Sequence, residues 1–319
     1  MPEGDTVLRT ARRLHAALAG RTLLRSDLRW PTLATADLRG QVVEEVAARG
    51  KHLLLRTDAA LTLHSHLRMD GSWHVVRTGD RRRVRSAEGV RAVLTTEEWT
   101  AVGHRLGMLD LVATADEGSL VGHLGPDLLA DDWEAGGADA QPHAGLDAQP
   151  DAVPRSQGGA GRALSALQAD PAREVGDALL DQRLVAGIGT FWMSEVLFLR
   201  GHSPWAPVAA VDLAAVLALA RRAMRLALEA REPVQTTTGD TRPGRNRYVH
   251  ARSGLPCRRC GSTVRVAPIG VGPHARSAFF CPSCQPGPRP TDDGRAQPPL
   301  GHDRRGGAAA RRRGTSPYA

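Results

Sequence analysis

The chain of 319 residues holds 42 Lys plus Arg against 34 Asp plus Glu, a net charge of +8 and a pI near 10.4. That length accommodates two or three domains with cores of their own, and the charge suits a polyanionic partner. The four cysteines, Cys257, Cys260, Cys281 and Cys284, fall late and in one pattern, leaving none for a disulfide framework or a catalytic thiol. The polar start MPEGDTVLRT lacks the apolar stretch of a signal peptide, and no apolar run reaches membrane-spanning length, so a soluble intracellular protein is expected.

In chain order, residues 5–19 have the period of a helix. Val7, Leu8, Ala11, Leu14 and Leu18 share one face, Arg9, Arg12 and Arg13 the other, and Gly20 ends it. From 22 to 133 short alternating or apolar runs follow (QVVEEVAA, HLLLRT, ALTLHSHL, SWHVVR, RAVLTT, LDLVAT), the spacing of a β-sandwich or barrel. Residues 134–162 are rich in Gly, Ala, Pro and Asp and have no period, which reads as a flexible linker. Helical patterns resume over 163–232. Asp170-Pro171 can open one helix, and Leu179, Leu180, Leu184 and Val185 lead into the turn Gly187-Ile188-Gly189. Another helix starts near Thr190 and closes at Ser203-Pro204, and Asp212 caps a long amphipathic one ending before Pro233. Residues 235–250 are polar and Arg-rich, the cysteine segment follows, and 286–319 reads as a disordered basic tail ending in Arg311 to Arg313.

Four features carry chemistry. Cys257-x2-Cys260 and Cys281-x2-Cys284, separated by 20 residues, have the spacing of one closed four-thiolate zinc site, structural because no coordination position is left open. The intervening hairpin, with Arg265, His274 and Arg276, can present a cation to DNA or serve only as a staple. Gly187 and Gly189 precede a helix N-terminus, where backbone N–H groups can hold a phosphate. Removal of Met1 would expose Pro2 as a secondary amine that titrates near neutrality and can attack a sugar C1′, with Glu3 beside it to move protons. Lys51 is the only lysine against 41 arginines, either a chance remnant or a position that needs a compact, titratable ammonium.

Taken together, MPEGDT at 1–6, GK at 50–51, SHLRMDG at 65–71, LLDQRLVAGIGTFW at 179–192 and the final cysteine pairs resemble the formamidopyrimidine-DNA glycosylase/endonuclease VIII family, in the family's order. The resemblance implies an α+β multidomain fold: an N-terminal catalytic β-sandwich with an N-terminal helix (1–133), the linker (134–162), a helix-two-turn-helix domain (163–250), a zinc ribbon (251–285) and the tail (286–319). It implies a bifunctional DNA glycosylase and abasic-site lyase that excises oxidised bases through a Schiff base on Pro2 and cleaves the strand by β/δ-elimination. Glu3 would be the acid/base, Lys51 a catalytic lysine, and Arg276 the hairpin arginine gripping phosphates beside the flipped nucleotide. Met69 would fill the hole left in the base stack, with Arg105, Gly189 and Thr190 also on DNA. One structural zinc ion, a partner duplex carrying damaged bases or abasic sites, a monomer, and a bacterial cytoplasmic, nucleoid-associated location complete the expectation.

Three departures from the family stand out. Thr190 occupies the position of an Asn, the stretch His104-Arg105-Leu106 has Leu where the wedge loop has an aromatic, and the loop between Thr238 and Tyr248 is short. With the PEGDT start, the short loop favours the endonuclease VIII branch and oxidised pyrimidines. Two other readings fit part of the pattern: a non-enzymatic helix–turn–helix/zinc-ribbon DNA-binding protein, which leaves Pro2, Glu3 and Lys51 without a role, and a lyase that has lost base excision.

Overall fold

The computed structural model describes residues 2–80, 88–134, 158–230, 234–272 and 275–290. Met1, His274, most of the expected linker (135–157) and most of the expected tail (291–319, with Arg311 to Arg313) lie outside the described residues.

Eight antiparallel strands make the first half. They are β1 (Arg25–Leu28), β2 (Val43–Arg49), β3 (His52–Thr57), β4 (Leu61–His66), β5 (Ser72–Arg77), β6 (Val90–Thr95), β7 (Trp99–His104) and β8 (Met108–Ala113). One sheet has the order β1-β6-β7-β5, the other β2-β3-β4-β8. The period-2 pattern explains the sandwich: Leu53, Leu55, Leu63 and Leu109 of one sheet share a core with Trp73, Ala92, Leu94 and Ala101 of the other. The indole of Trp73 donates to Ser65 Oγ at 3.1 Å, so both of these buried polar groups have a partner. On the outer face of the second sheet, Arg56 grips the buried Glu117 with two bonds of 2.7 Å. Glu117 lies just ahead of the short helix α2 (Gly118–Val121), which that grip ties to the sheet.

Helix α1 (Gly4–Leu18) buries Val7, Ala11, Leu14 and Leu18 against the sandwich, as its period requires. Leu8 instead packs on the helical half of the molecule. Arg9 also leaves the solvent face expected for it. Its guanidinium bonds Ala227 O, and Ala230 O at 2.9 Å, at the C-terminal end of α6 (Leu213–Glu229). A cation there satisfies carbonyls that no residue of the helix can reach. Helix α1 is thus a stitch between the two halves.

The helical half comprises α3 (Gly159–Gln168), α4 (Val175–Leu180), α5 (Thr190–Arg200) and α6. Helix α3 begins inside the segment expected to be linker, with Gly159 against Trp133 so closely that a Cβ would lie 3.1 Å from the Trp133 Cα. Asp170-Pro171 does not open a helix. Ala209 N–H donates to Pro171 O and Val208 N–H to Arg173 O, so this backbone is committed to the 206–210 segment and α4 starts only at Val175. Helix α5 is buried all round from Thr190 to Phe198, the mark of a central helix. It ends at Gly201 (φ 74°), ahead of the expected stop at Ser203-Pro204, because glycine takes the left-handed cap without strain. Asp212 caps α6 as expected, accepting from Ala215 N–H at 3.0 Å.

Strands β9 (Arg265–Ile269) and β10 (Arg276–Phe280) form the ribbon hairpin, with Phe279 N–H donating to Ser194 Oγ of α5 at 3.3 Å. No helix among the described residues is long and apolar enough to cross a membrane.

Candidate active site

The turn 186–189 ahead of α5 is the floor onto which two distant pieces of chain are pressed. The first is the N-terminus. Gly4 N–H donates to Gly187 O at 2.9 Å, and a Cβ on Gly4 would lie 2.9 Å from the Gly187 Cα, so only glycine allows the approach. The second is the β2–β3 turn. Gly50 (φ 58°) sits with its N–H 2.6 Å from Asp127 Oδ2, and its own Cβ position would be 3.1 Å from the Ala186 Cβ. Asp127 is buried and its other oxygen accepts Leu129 N–H at 2.9 Å, so one carboxylate anchors the turn from below. Gln182 bonds Ile188 O, Leu180 O and Gly187 N–H, fixing the floor itself.

Glu3 lies fully buried at the end of α5. Its Oε2 accepts Gly189 N–H at 2.8 Å and Trp192 N–H at 3.3 Å, and its Oε1 accepts Phe191 N–H at 2.8 Å. These are the orphan donors of a helix N-terminus, where a negative charge is favoured. The glycine–Ile–glycine turn therefore holds the protein's own carboxylate, and the phosphate expected at these amides has no free donor at Gly189. Gly189 is glycine for the same reason, since a Cβ would fall 2.4 Å from the Glu3 Cδ. Thr190, the first residue of α5, is buried in this turn.

Lys51 extends from the β2–β3 turn to Ile188 O at 2.5 Å. Burial lowers its pKa, the Glu3 carboxylate opposes that, and the Arg276 guanidinium adds to it. The Glu3 carboxyl is pushed up to about 7, chiefly by burial, against the pull of Lys51 and with a further push from Asp5. At neutral pH Glu3 is thus poised to give or take a proton, a property its exposed counterparts lack. Pro2 is half-buried directly before it. Two sequence candidates, Glu3 and Lys51, meet at this turn with Pro2 directly before Glu3, and the charge of Arg276 is felt at Lys51.

Met69 and Arg105 form a second group. Met69 is 61% exposed on the loop after β4, one residue past Arg68 (φ 50°). Arg105 (φ 48°) is exposed on the β7–β8 turn, and a Cβ on Gly71 would lie 3.0 Å from Arg105 O, so the two loops touch. A large apolar side chain held in water beside a cation has the character of a wedge into a base stack. Leu106 does not share it. It is 3% exposed and belongs to the sandwich core, so the resemblance of His104-Arg105-Leu106 to a wedge loop ends at the backbone.

Several residues escaped the sequence reading. Asp5, buried beside Glu3, accepts from the Trp192 indole at 3.0 Å and from Gln235 Nε2 at 2.9 Å. Glu195 of α5 accepts the N–H groups of Tyr248, Val249 and His250, each at 2.8 Å, and the Thr237 hydroxyl, tying the 237–250 loop to the helix. Behind Lys51, His52 bonds His64 at 2.8 Å and His64 bonds Asp110 at 2.9 Å, while His66 is the cross-strand partner of His52. Burial, and then their charged neighbours, push His52 down to about 3 and His66 to about 4, so both are neutral at physiological pH. The spacing of His64 and His66 in HSH was a legible sign that those two rings share one sheet face, and the register His52↔His66 adds the third.

The sulfurs of Cys257, Cys260, Cys281 and Cys284 lie within 4.8 Å of one another. Two of the separations are 3.9 Å (Cys257–Cys284) and 3.4 Å (Cys260–Cys281). Thiolates about 2.3 Å from a tetrahedral zinc stand about 3.8 Å apart, so the donor set and its spacing fit the ion.

Residues 1–110 match the formamidopyrimidine-DNA glycosylase N-terminal domain. Over 297 residues the chain is 48% identical to a probable endonuclease 8 2 of Streptomyces coelicolor, covering 92% of this chain and 98% of that protein. It is 41% identical over 286 residues to a DNA-(apurinic or apyrimidinic site) lyase of Mycolicibacterium smegmatis (89% and 99% covered). To a formamidopyrimidine-DNA glycosylase of Gluconobacter oxydans it is 30% identical over 305 residues (89% and 99% covered). Its fold is that of the Lactococcus lactis Fpg (MutM) solved with DNA containing an oxidised pyrimidine, with a TM-score of 0.66 at 19% identity, covering 90% of this chain and all of that one.

Proposed function

The chain belongs to the formamidopyrimidine-DNA glycosylase/endonuclease VIII family, on its endonuclease VIII side, and from that premise and the geometry around Glu3 we infer how it works. It is a bifunctional DNA glycosylase and abasic-site lyase of base excision repair. The observation that carries the mechanism is the convergence of Pro2, the fully buried Glu3 and Lys51 on the 186–189 turn.

In this reading the Pro2 amine, freed of Met1, attacks C1′ of a flipped nucleotide. The bond from C1′ to the base breaks, the base leaves with the electron pair, and an iminium ion joins Pro2 to the opened sugar. Protonated Glu3 supplies the proton that opens the ring and its carboxylate later takes one back. The iminium acidifies the C2′ proton, whose loss expels the 3′ phosphate, and a second elimination expels the 5′ phosphate. Lys51 and Arg276 hold phosphates beside the lesion, Met69 occupies the vacated stack, and Arg105 braces the opposite side of the duplex. Thr190 bonds a DNA phosphate through its hydroxyl, while the adjacent Gly189 N–H is committed to Glu3.

Cys257, Cys260, Cys281 and Cys284 would hold one zinc ion, which supplies a rigid base for the Arg276 hairpin and no chemistry. The substrate is a duplex carrying an oxidised base, pyrimidines ahead of purines, or an abasic site, bound by a monomer in the bacterial cytoplasm. The two cores divide the chain earlier than 133: the sandwich core reaches Leu109 and Leu111, whereas Leu128, Leu129 and Trp133 pack with the helical core that continues into α3.

Borohydride trapping on labelled duplexes tests the reading, with thymine glycol in one and an abasic site in the other. Wild type is expected to form a covalent adduct with both, and Pro2→Gly with neither. Glu3→Gln is expected to lose trapping on thymine glycol. An adduct on the abasic duplex alone would reduce the protein to a lyase, and binding without trapping would leave only a DNA-binding module.

A further inference from the structure

Glu3 does not meet the interior alone. Trp192 donates twice, its backbone N–H to Glu3 Oε2 at 3.3 Å and its indole N–H to Asp5 Oδ1 at 3.0 Å. One residue of α5 thus bridges two carboxylates of the first turn of α1, of which Glu3 is 0% and Asp5 4% exposed. We propose that Asp5 is a positioning residue that holds Glu3 in its proton-bearing form for base excision.

The surroundings of each carboxylate carry the argument. Glu3 faces the Lys51 ammonium from the β2–β3 turn, the amides of Gly189, Phe191 and Trp192 from α5, and Asp5 from its own helix. The Arg276 guanidinium of β10 acts in turn on Lys51. All of these except Asp5 favour the ionised carboxylate. Asp5 itself faces neutral donors: the Trp192 indole, the Gln235 amide and the Thr6 backbone. Burial raises the Asp5 pKa and these donors oppose that, so its charge, where it forms, is hydrogen-bonded without being cancelled. Two like charges sharing a dry site cannot both form at low cost, so a proton is retained on one of them. Asp5 and burial work in the same direction on Glu3, offsetting Lys51. An acidic residue in the first turn of a helix is favourable without burial. The interior location of Asp5, held by Trp192 and Gln235, is what a cap alone does not need.

This inference rests on the reading that Glu3 is the acid of base excision, and the test separates the two. Asp5→Asn keeps an oxygen for Trp192 and Gln235 and removes the charge. The kcat/KM for excision of thymine glycol is measured from pH 5 to 9 for wild type, Asp5→Asn and Glu3→Gln. Wild type is expected to lose rate on the alkaline side as Glu3 loses its proton. In Asp5→Asn that limb moves to lower pH by about 0.5–1 unit, a loss of about three- to tenfold at pH 8 with little change at pH 6. Superimposed alkaline limbs in wild type and Asp5→Asn, with Glu3→Gln inactive, overturn the inference and leave the mechanism standing. An active Glu3→Gln overturns the mechanism itself. If Asp5→Asn does not fold, coupling is reciprocal and is read from the other side. Carboxyl NMR of the full chain is then expected to show the Asp5 midpoint at lower pH in Glu3→Gln than in wild type, and an unmoved midpoint overturns the proposal.

Discussion

The two ends of α5 solve the same problem in opposite ways. At the N-terminal end the unsatisfied amides bond a carboxylate that is 0% exposed and pushed up to about 7. At the C-terminal end Gly201 turns left-handed (φ 74°) and its N–H returns to Phe198 O, while Arg259 donates to the same carbonyl at 3.3 Å and lies 4.4 Å above the Phe198 ring. Both ends set the helix dipole against an opposite charge. Only the first drags that charge out of water, and burial there, with Asp5 adding to it, outweighs Lys51 and the amides of Phe191 and Trp192. Phe198 meanwhile packs with Cys257 and Cys281, so the second end is also where the ribbon is anchored. In the proposed mechanism one end gives up stability to make a proton carrier, and the other supplies it.

The comparison is broken most forcefully at the ribbon. A closed structural zinc site is worth about 10 kcal/mol or more to the segment that forms it. Cys281→Ser, or exposure of the wild type to a strong chelator, is expected to unfold β9 and β10 and abolish duplex binding. The sandwich core around Leu53 and Leu109 is expected to survive. Hydrogen exchange would show this as lost protection over 265–280 with protection kept over 52–66. Equal loss in both regions would mean that the ribbon end is no separate staple.

The next effect has the opposite sign. A carboxyl whose folded pKa is raised above its unfolded value binds its proton more tightly when folded, so stability is lost as pH rises from about 4.5 to about 7. That interval corresponds to about 3 kcal/mol. Glu3→Gln carries no charge to bury. Its melting temperature is expected to exceed that of wild type at pH 8 and to approach it at pH 5, as thermal unfolding across that range would show. A difference independent of pH would mean that the N-terminal end is not under electrostatic load.

How far this contrast could be read from the sequence depends on what each end requires. The ribbon end was legible because four thiolates at fixed spacing admit few arrangements, and the sandwich because short alternating or apolar runs such as HLLLRT and ALTLHSHL recur between turn residues. Glu3, Lys51 and the glycines of the turn were legible as a constellation through the family resemblance. Their partnership was not: nothing local says that the amides of Gly189, Phe191 and Trp192 hold Glu3, 186 to 189 positions away. The misplaced helix start at Asp170-Pro171 and the buried Leu106 have the same origin. In each, a local preference was overruled by a tertiary contact, with the 206–210 backbone in one case and the sandwich core in the other. Asp5 looked like an ordinary first-turn acid, and only Trp192 and Gln235 show otherwise.

The same small change made at the two ends then sharpens the contrast. At Gly189 (φ −126°) the backbone suits any residue, and the obstacle is contact: an added methyl meets the Glu3 carboxyl carbon at 2.4 Å. Gly189→Ala must displace Glu3 from its amides, and a shift of about 1 Å at a proton-transfer group costs about a hundredfold in rate. Base excision is expected to fall by that order, measured in single-turnover assays on thymine glycol, with stability changed little or raised at pH 8. An unchanged rate would show that Glu3 works from another position.

At Gly201 the space is nearly open, with only Cys284 O at 3.4 Å, and the obstacle is the positive φ. Gly201→Ala is therefore expected to cost about 1 kcal/mol of stability and leave the excision rate unchanged. Denaturant unfolding and the same single-turnover assay decide it. A rate defect in Gly201→Ala would mean that strain at the ribbon end is transmitted along α5 to Glu3. The helix would then be a coupling between the two ends, in place of the rigid spacer that its buried, close-packed residues from Phe191 to Phe198 imply.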